Sequence, residues 1–177
     1  GNLWIGTRQG GLNYYDARTG KFTHYNHDSK VSGSLSSDRV LTIYVDREQR
    51  VWIGTVRGLD LFIPKSKAFA HYLPRINEMS DTSANSVTAI LEDSVGTIWV
   101  GTASTGLYKF DPENFRFSSY FSGNTQQIVL SSDYVRAIQE DKQGNLWVAT
   151  DNGLNFLKSG SETFIQYHHE SQNPESL

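Results

Sequence analysis

Three acidic residues, Asp46, Asp93 and Asp141, could do chemistry, the last two with Glu92 and Glu140 beside them. A pair of carboxylates flanking a glycosidic bond is the working part of most glycosidases. Adjacent residues on a strand face opposite sides, however, so neither pair converges on one bond. Each Asp also stands six residues before a Trp, at the head of a short turn, where its side chain can bond its own backbone. We read all three as turn caps and expect no catalytic residue. Histidines at 24, 27, 71, 168 and 169 are the next candidates, as bases or metal ligands. His24 and His71 share one repeated position where other copies carry Ser119 and Gln166, which suits a solvated outer strand. His168 and His169 are adjacent and point apart on extended chain, so no metal site is expected. The chain has no Cys, which excludes thiol catalysis and cysteine-held metals. The Gly-Leu steps lack phosphate-loop spacing, and there is no Gly-x-Ser-x-Gly elbow. No cofactor is expected.

The elements that position these residues come from a repeat. Trp falls at 4, 52, 99 and 147, at spacings of 48, 47 and 48. Each Trp sits in one phrase: Leu3 to Thr7, Val51 to Thr55, Ile98 to Thr102 and Leu146 to Thr150. A Gly-Leu step follows each, at Gly11, Gly58, Gly106 and Gly153, and then Phe-x-x-Tyr from Phe22, Phe69, Phe117 and Phe164. Val40-x-x-Ile43, Val87-x-x-Ile90 and Val135-x-x-Ile138 precede the last three copies. Each copy therefore holds four short strands, a to d, joined by turn residues. Strand b is apolar on both faces, as in Val51-Trp52-Ile53, which fits a strand covered on both sides. Four antiparallel strands in a repeat of this length predict a β-propeller blade. The Trp residues, whose faces would suit sugars, are then blade-to-blade packing, because a core position repeats while a binding position varies.

We place the blades at residues 1–35, 36–82, 83–130 and 131–177, an all-β propeller arc whose first blade lacks its innermost strand. Rings close with about 4–8 blades, so the expectation is a segment of a larger ring, completed by further blades or by a second copy of the chain. The opening Gly1-Asn2-Leu3-Trp4, without an initiator Met or signal peptide, fits a piece of a longer or processed protein. The turn after Asp46 has Gln49 where the other two have Gly96 and Gly144, so it is expected to differ or to be strained.

Binding is expected where the repeat leaves residues free to vary. The b–c and d–a links emerge on one face of a blade. In the b–c links the polar residues are Arg8, Gln9, Arg57, Ser104, Thr105, Asp151 and Asn152, our candidate ligand-binding residues. In the d–a links they include Asn26, His27, Arg75, Asn77, Asn124 and Gln126. Guanidinium and amide groups suit hydroxyl-rich or carboxylate-bearing ligands. With a net charge of −3 the chain offers no basic face for nucleic acid and no polybasic membrane patch. Its 12 % aromatic content argues against disorder, and it has no run of about 18 apolar residues that could span a membrane.

Leu3 to Thr7, Gly11 to Asp16, Phe22 to Tyr25 and Ser34 to Val40, matched again at Gly101 to Asp111 and Leu130 to Val135, resemble the two-component regulator propeller repeat of bacterial sensor proteins. The resemblance covers essentially the whole chain. Ala149 departs from it at the Gly of the Trp phrase, as do Ile63 and Lys158 at an Asp position. It implies a non-enzymatic, periplasmic sensor module of a membrane-anchored histidine kinase, recognising an oligosaccharide or another small polar ligand. A stand-alone self-assembling scaffold is the alternative. A further one is a propeller lyase, a class that uses a His base and a metal and for which His168 is the candidate.

Overall fold

The computed structural model describes residues 1–73, 85–119 and 130–177. These form four antiparallel sheets, each laid down in sequence order. The first contains β1 (Leu3–Gly6), β2 (Leu12–Asp16) and β3 (Lys21–Tyr25). The second contains β4 (Val40–Val45), β5 (Val51–Thr55), β6 (Gly58–Ile63) and β7 (Ala68–Tyr72). The third contains β8 (Val87–Glu92), β9 (Ile98–Thr102), β10 (Leu107–Asp111) and β11 (Arg116–Ser119). The fourth contains β12 (Val135–Glu140), β13 (Leu146–Thr150), β14 (Gly153–Leu157) and β15 (Phe164–Tyr167). Each is a propeller blade, and the first has three strands. Tyr120 and the d–a link residues Arg75, Asn77, Asn124 and Gln126 lie outside the described residues.

Two compact units are present, Gly1–Val87 and Thr88–Leu177. In the first, Leu12, Leu35, Val40, Val51, Ile53, Phe62 and Phe69 form the core. Trp4 closes it, its ring 5.0 Å from Phe62 of the next blade and 4.7 Å from Tyr14 of its own. In the second, Trp99 is buried with Leu107, Leu130, Val135, Leu146 and Val148. Strands β5 and β9 are buried along their whole length, as their two-sided apolar pattern predicts.

The Gly of the Trp phrase is a close-approach position. A Cβ on Gly101 would collide with the side chain of Val135, the first residue of the next blade's inner strand, and one on Gly6 with Val40. Ala149 takes the same place in the fourth blade and is half-buried.

The turns after strand a show what the three Asp residues do. Each caps its turn: Asp93 Oδ1 accepts from the amides of Val95 and Thr97, and Asp141 Oδ1 from those of Gln143 and Asn145. The other oxygen does something the sequence reading missed. It accepts the indole N–H of the Trp six residues on: Trp52 to Asp46 at 2.8 Å, Trp99 to Asp93 at 2.8 Å and Trp147 to Asp141 at 3.1 Å. The constant spacing of six was the available signal. A Trp buried on both faces still needs an acceptor for its N–H, and the turn carboxylate supplies one. Gln49 keeps the same turn geometry as its glycine counterparts, with φ at 63°, so this turn is strained rather than different.

Candidate functional site

The b–c links are built by the Thr that ends each Trp phrase. Its hydroxyl donates back to the carbonyl of the following Gly: Thr7 to Gly11 at 3.0 Å, Thr55 to Gly58 at 3.2 Å, Thr102 to Gly106 at 2.9 Å and Thr150 to Gly153 at 3.1 Å. Gly11 has a positive φ of 67°, and a Cβ there would strike the Tyr25 carbonyl. The d–a link is anchored too. The Ser36 amide donates to Asp60 Oδ2 at 2.8 Å, and the hydroxyls of Ser36 and Thr55 bond at 2.8 Å. The fourth blade repeats this with Ser131, Asn155 and Thr150 at the same distances.

The backbone then stitches neighbouring links together. Gly11 N–H donates to Asp38 O at 3.0 Å, Val40 N–H to Thr7 O at 2.9 Å and Val56 N–H to Arg39 O at 3.3 Å. This lays Arg8 and Gln9 on one side of the Ser37–Arg39 segment and Arg57 on the other. The result is a recess of about 640 Å³, lined by polar residues from four links and by Val56. Its volume lies within the usual range for small-molecule sites, about 300–1,000 Å³.

Three of the sequence-named residues, Arg8, Gln9 and Arg57, meet here, with His27 from the d–a link. Arg57 Nη1 donates to His27 Nε2 at 3.2 Å, and His27 Nδ1 donates to the Leu35 carbonyl at 2.8 Å. A carbonyl only accepts, so this geometry fixes the tautomer of His27. Asp38 holds the His27 amide at 2.7 Å and the Asn26 side chain at 3.2 Å. Asp38, Arg39, Ser37 and Ser86 also line the recess, and the sequence reading did not name them as ligand-binding. Their place directly before strand a, on the same face as the b–c links, was the signal.

The other candidates lie in the second unit. Ser104 is exposed, whereas Thr105 is buried and turned inward, its amide bonded to the Thr102 hydroxyl at 3.0 Å. Asp151 forms an ion pair with Arg136, whose guanidinium lies 4.3 Å from the Tyr134 ring. The Asp151 hydrogen bond draws Arg136 further toward its charged form. Asn152 donates to the Ser131 carbonyl at 3.3 Å. The structure thus gathers the first-unit candidates into one recess and ties Thr105, Asp151 and Asn152 to local partners.

His71 lies exposed on an outer strand, as its repeated position predicts, and its ring is also held by two acceptors. Its ring donates to buried Asp60 Oδ1 at 2.8 Å and to the Ser32 carbonyl at 3.0 Å. Both partners only accept, so the imidazolium satisfies both. The bond to Asp60 raises the His71 pKa, and partial burial opposes it without prevailing. His168 faces the Asn152 carbonyl at 2.9 Å and the Gln166 side chain at 3.1 Å, while His169 turns to Leu177. Among the described residues no group of three or more His, Asp or Glu is placed to hold a metal ion. Nor is any helix long and apolar enough to cross a membrane.

Residues 34–57, 82–104 and 129–152 each match the two-component regulator propeller repeat. The chain thus carries three segments that match this repeat. In sequence, it is 34 % identical over 59 residues to histidine kinase P4 of Formosa agariphila, a match spanning 33 % of the chain and 4 % of the relative. In structure, these repeats superpose on the extracellular domain of the hybrid two-component system BT4673 of B. thetaiotaomicron. The TM-score is 0.81 at 23 % identity, over 99 % of this chain and 22 % of that domain. Virginiamycin B lyase of Staphylococcus aureus shares the fold at a TM-score of 0.70 and 14 % identity, over 97 % of this chain and 53 % of the lyase. The chain thus spans about a fifth of the sensor domain it resembles.

Proposed function

We propose that these repeats form a ligand-sensing, extracytoplasmic module of a two-component sensor. The link face takes a small polar ligand such as an oligosaccharide, and the signal passes to a kinase output domain. The observation that carries this reading is the recess, where Arg8, Gln9 and Arg57 come together on a scaffold whose repeated positions are all structural. The repeat identity and the resemblance to an extracellular sensor domain support the periplasmic location. Further blades, of the same protein or of a second copy, are the proposed partners. A ligand transmits a signal only by binding two states of the assembly with different affinity, so it must touch residues whose arrangement differs between them. The recess, which joins links of successive blades, is suited to that.

The test is a thermal-shift screen of the chain against neutral and acidic oligosaccharides, repeated on R57Q. A ligand that raises the melting temperature of the parent but not of R57Q supports the reading. Ligands whose effect survives both R57Q and R8Q would place recognition elsewhere and overturn it.

A further inference from the structure

The charge lining the recess is lopsided. Arg8, Arg39 and Arg57 all face it, and Asp38 is its one carboxylate. Elsewhere Arg18, Arg50 and Arg136 each pair with a carboxylate. Among the described residues none pairs with Arg8, Arg39 or Arg57. Asp38 turns one oxygen to the His27 amide and the Asn26 side chain. Three cations in one recess repel each other, in a chain whose net charge is −3. Nothing in the fold requires that arrangement, because the second unit builds the same link geometry without it. There Gly106 N–H donates to Asp133 O and Asp151 N–H to Tyr134 O, as Gly11 does to Asp38 and Val56 to Arg39. At the places of Arg8, Arg39 and Arg57 stand Ala103, Tyr134 and Asn152, none of them charged.

We infer that the recess is an oxyanion site, and that the sensed ligand carries a carboxylate, sulfate or phosphate group on a polyhydroxylated body. This rests on the reading of the link face as the ligand surface. Guanidinium forks match oxyanions in geometry as well as charge. Ser37 and Ser86 add hydroxyls. The Ser86 hydroxyl donates to Val56 O at 3.1 Å and keeps its lone pairs, and Ser37 accepts from the Arg39 amide and keeps its proton to donate. They and Gln9 suit the neutral part of such a ligand. His27 is a positioning residue. Held by Leu35, it accepts one N–H of Arg57 and turns the rest of that fork toward the recess.

The test follows the arginine Nε–H signals of the labelled chain by NMR. Sulfate, digalacturonate and neutral galactobiose are titrated at constant ionic strength. Selective movement of Arg8, Arg39 and Arg57 with sulfate or digalacturonate, with Arg18 and Arg50 unmoved, supports the inference. The responding probe then tells a tetrahedral anion from a carboxylate. R39Q and R57Q are each expected to weaken binding about tenfold, the loss of one charge-assisted hydrogen bond. R8Q, at an exposed position, serves if either variant melts early. H27F is expected to weaken binding, and H27Q, whose amide oxygen can accept from Arg57, to restore it. Equal response to galactobiose, with affinity indifferent to R39Q, overturns the oxyanion inference and leaves the link face as a ligand surface. Movement of none of the three signals with any probe overturns the inference and counts against that surface as well.

Discussion

Removing the Asp46 carboxylate tests whether the Asp–Trp bridge holds the blades. Asp46 is buried, 2 % exposed, against a Trp52 that is fully buried. One oxygen takes the Trp52 indole at 2.8 Å and the Arg50 Nε at 2.6 Å, and the other takes the Arg50 amide at 2.8 Å. D46A withdraws the indole's acceptor, at a cost of about 1–3 kcal/mol for a buried donor, and the turn and guanidinium bonds add about 1 kcal/mol more. The total of about 3 kcal/mol corresponds to a fall of about 6–12 °C in melting temperature for a chain of this size. D46N keeps an acceptor for the indole but loses the charge, so it should fall about half as far. D141A should fall less than D46A, because Trp147 is only half-buried. Burial alone would raise the Asp46 pKa. The bonds from Trp52 and Arg50 outweigh it and hold the carboxyl below its ordinary value. Its contribution is therefore present above about pH 4 and is lost as pH falls through the depressed folded value. The gap between parent and D46A should close on acidification. Melting by circular dichroism between pH 3 and 7 measures both effects. A D46A fall no larger than that of D141A, or a gap that stays constant with pH, refutes the account.

The remaining predictions concern the same scaffold. His71, whose pKa is raised by Asp60, lends stability that is complete below about pH 6.5 and fades as pH rises through the folded value; H71Q should abolish that fade in melts from pH 6 to 9. In the fourth blade the paired positions are Asn155 and Gln166, so D60N/H71Q should melt closer to the parent than D60N alone, and a double variant worse than either single would contradict this. G101A should destabilise by about 1–3 kcal/mol through collision with Val135, and V135A should recover part of the loss in a urea titration of the double variant. Q49G should stabilise by about 0.5–1 kcal/mol by relieving the positive φ, and a lowered urea midpoint would show the turn to be unstrained.

The blades were legible because strand b announces itself. Val51-Trp52-Ile53 has no polar face, and only a strand buried on both sides is written that way. The strain at Gln49 was legible too, since the other copies place a Gly there. The Asp–Trp bridge was half legible: the spacing of six was visible, but a turn cap already explained the Asp, and the second oxygen's partner comes only from the twist of the hairpin. The partners of exposed His71 were illegible for a related reason. A His on an outer strand looks solvated until its cross-strand neighbour is known to be buried Asp60, and register is what brings them together. Of the residues that line the recess, Arg8, Gln9 and Arg57 were named because they interrupt the repeat. Arg39 was missed because it lies inside the Ser34 to Val40 phrase that marks the repeat itself. Thr105 shows the opposite error, a link residue whose side chain the turn uses.

A repeat makes its own control experiment. Where the same backbone hydrogen bonds recur in two units, residue identity at the repeated Thr, Gly, Asp and Trp positions is fixed by geometry, and substitution there should register in stability. Arg8, Arg39 and Arg57 fall outside that set, since Ala103, Tyr134 and Asn152 satisfy the equivalent links without charge. Gathered arginines with no carboxylate among their partners oppose folding slightly, so their presence needs a reason other than the fold. Replacing them should therefore leave melting unchanged or raise it slightly while removing affinity for oxyanions. The Asp46, Gly101 and Asp60 variants should do the reverse. That separation of stability from binding is what the proposed sensing role requires: the scaffold is copied, and specificity would sit in the few positions the copy leaves open.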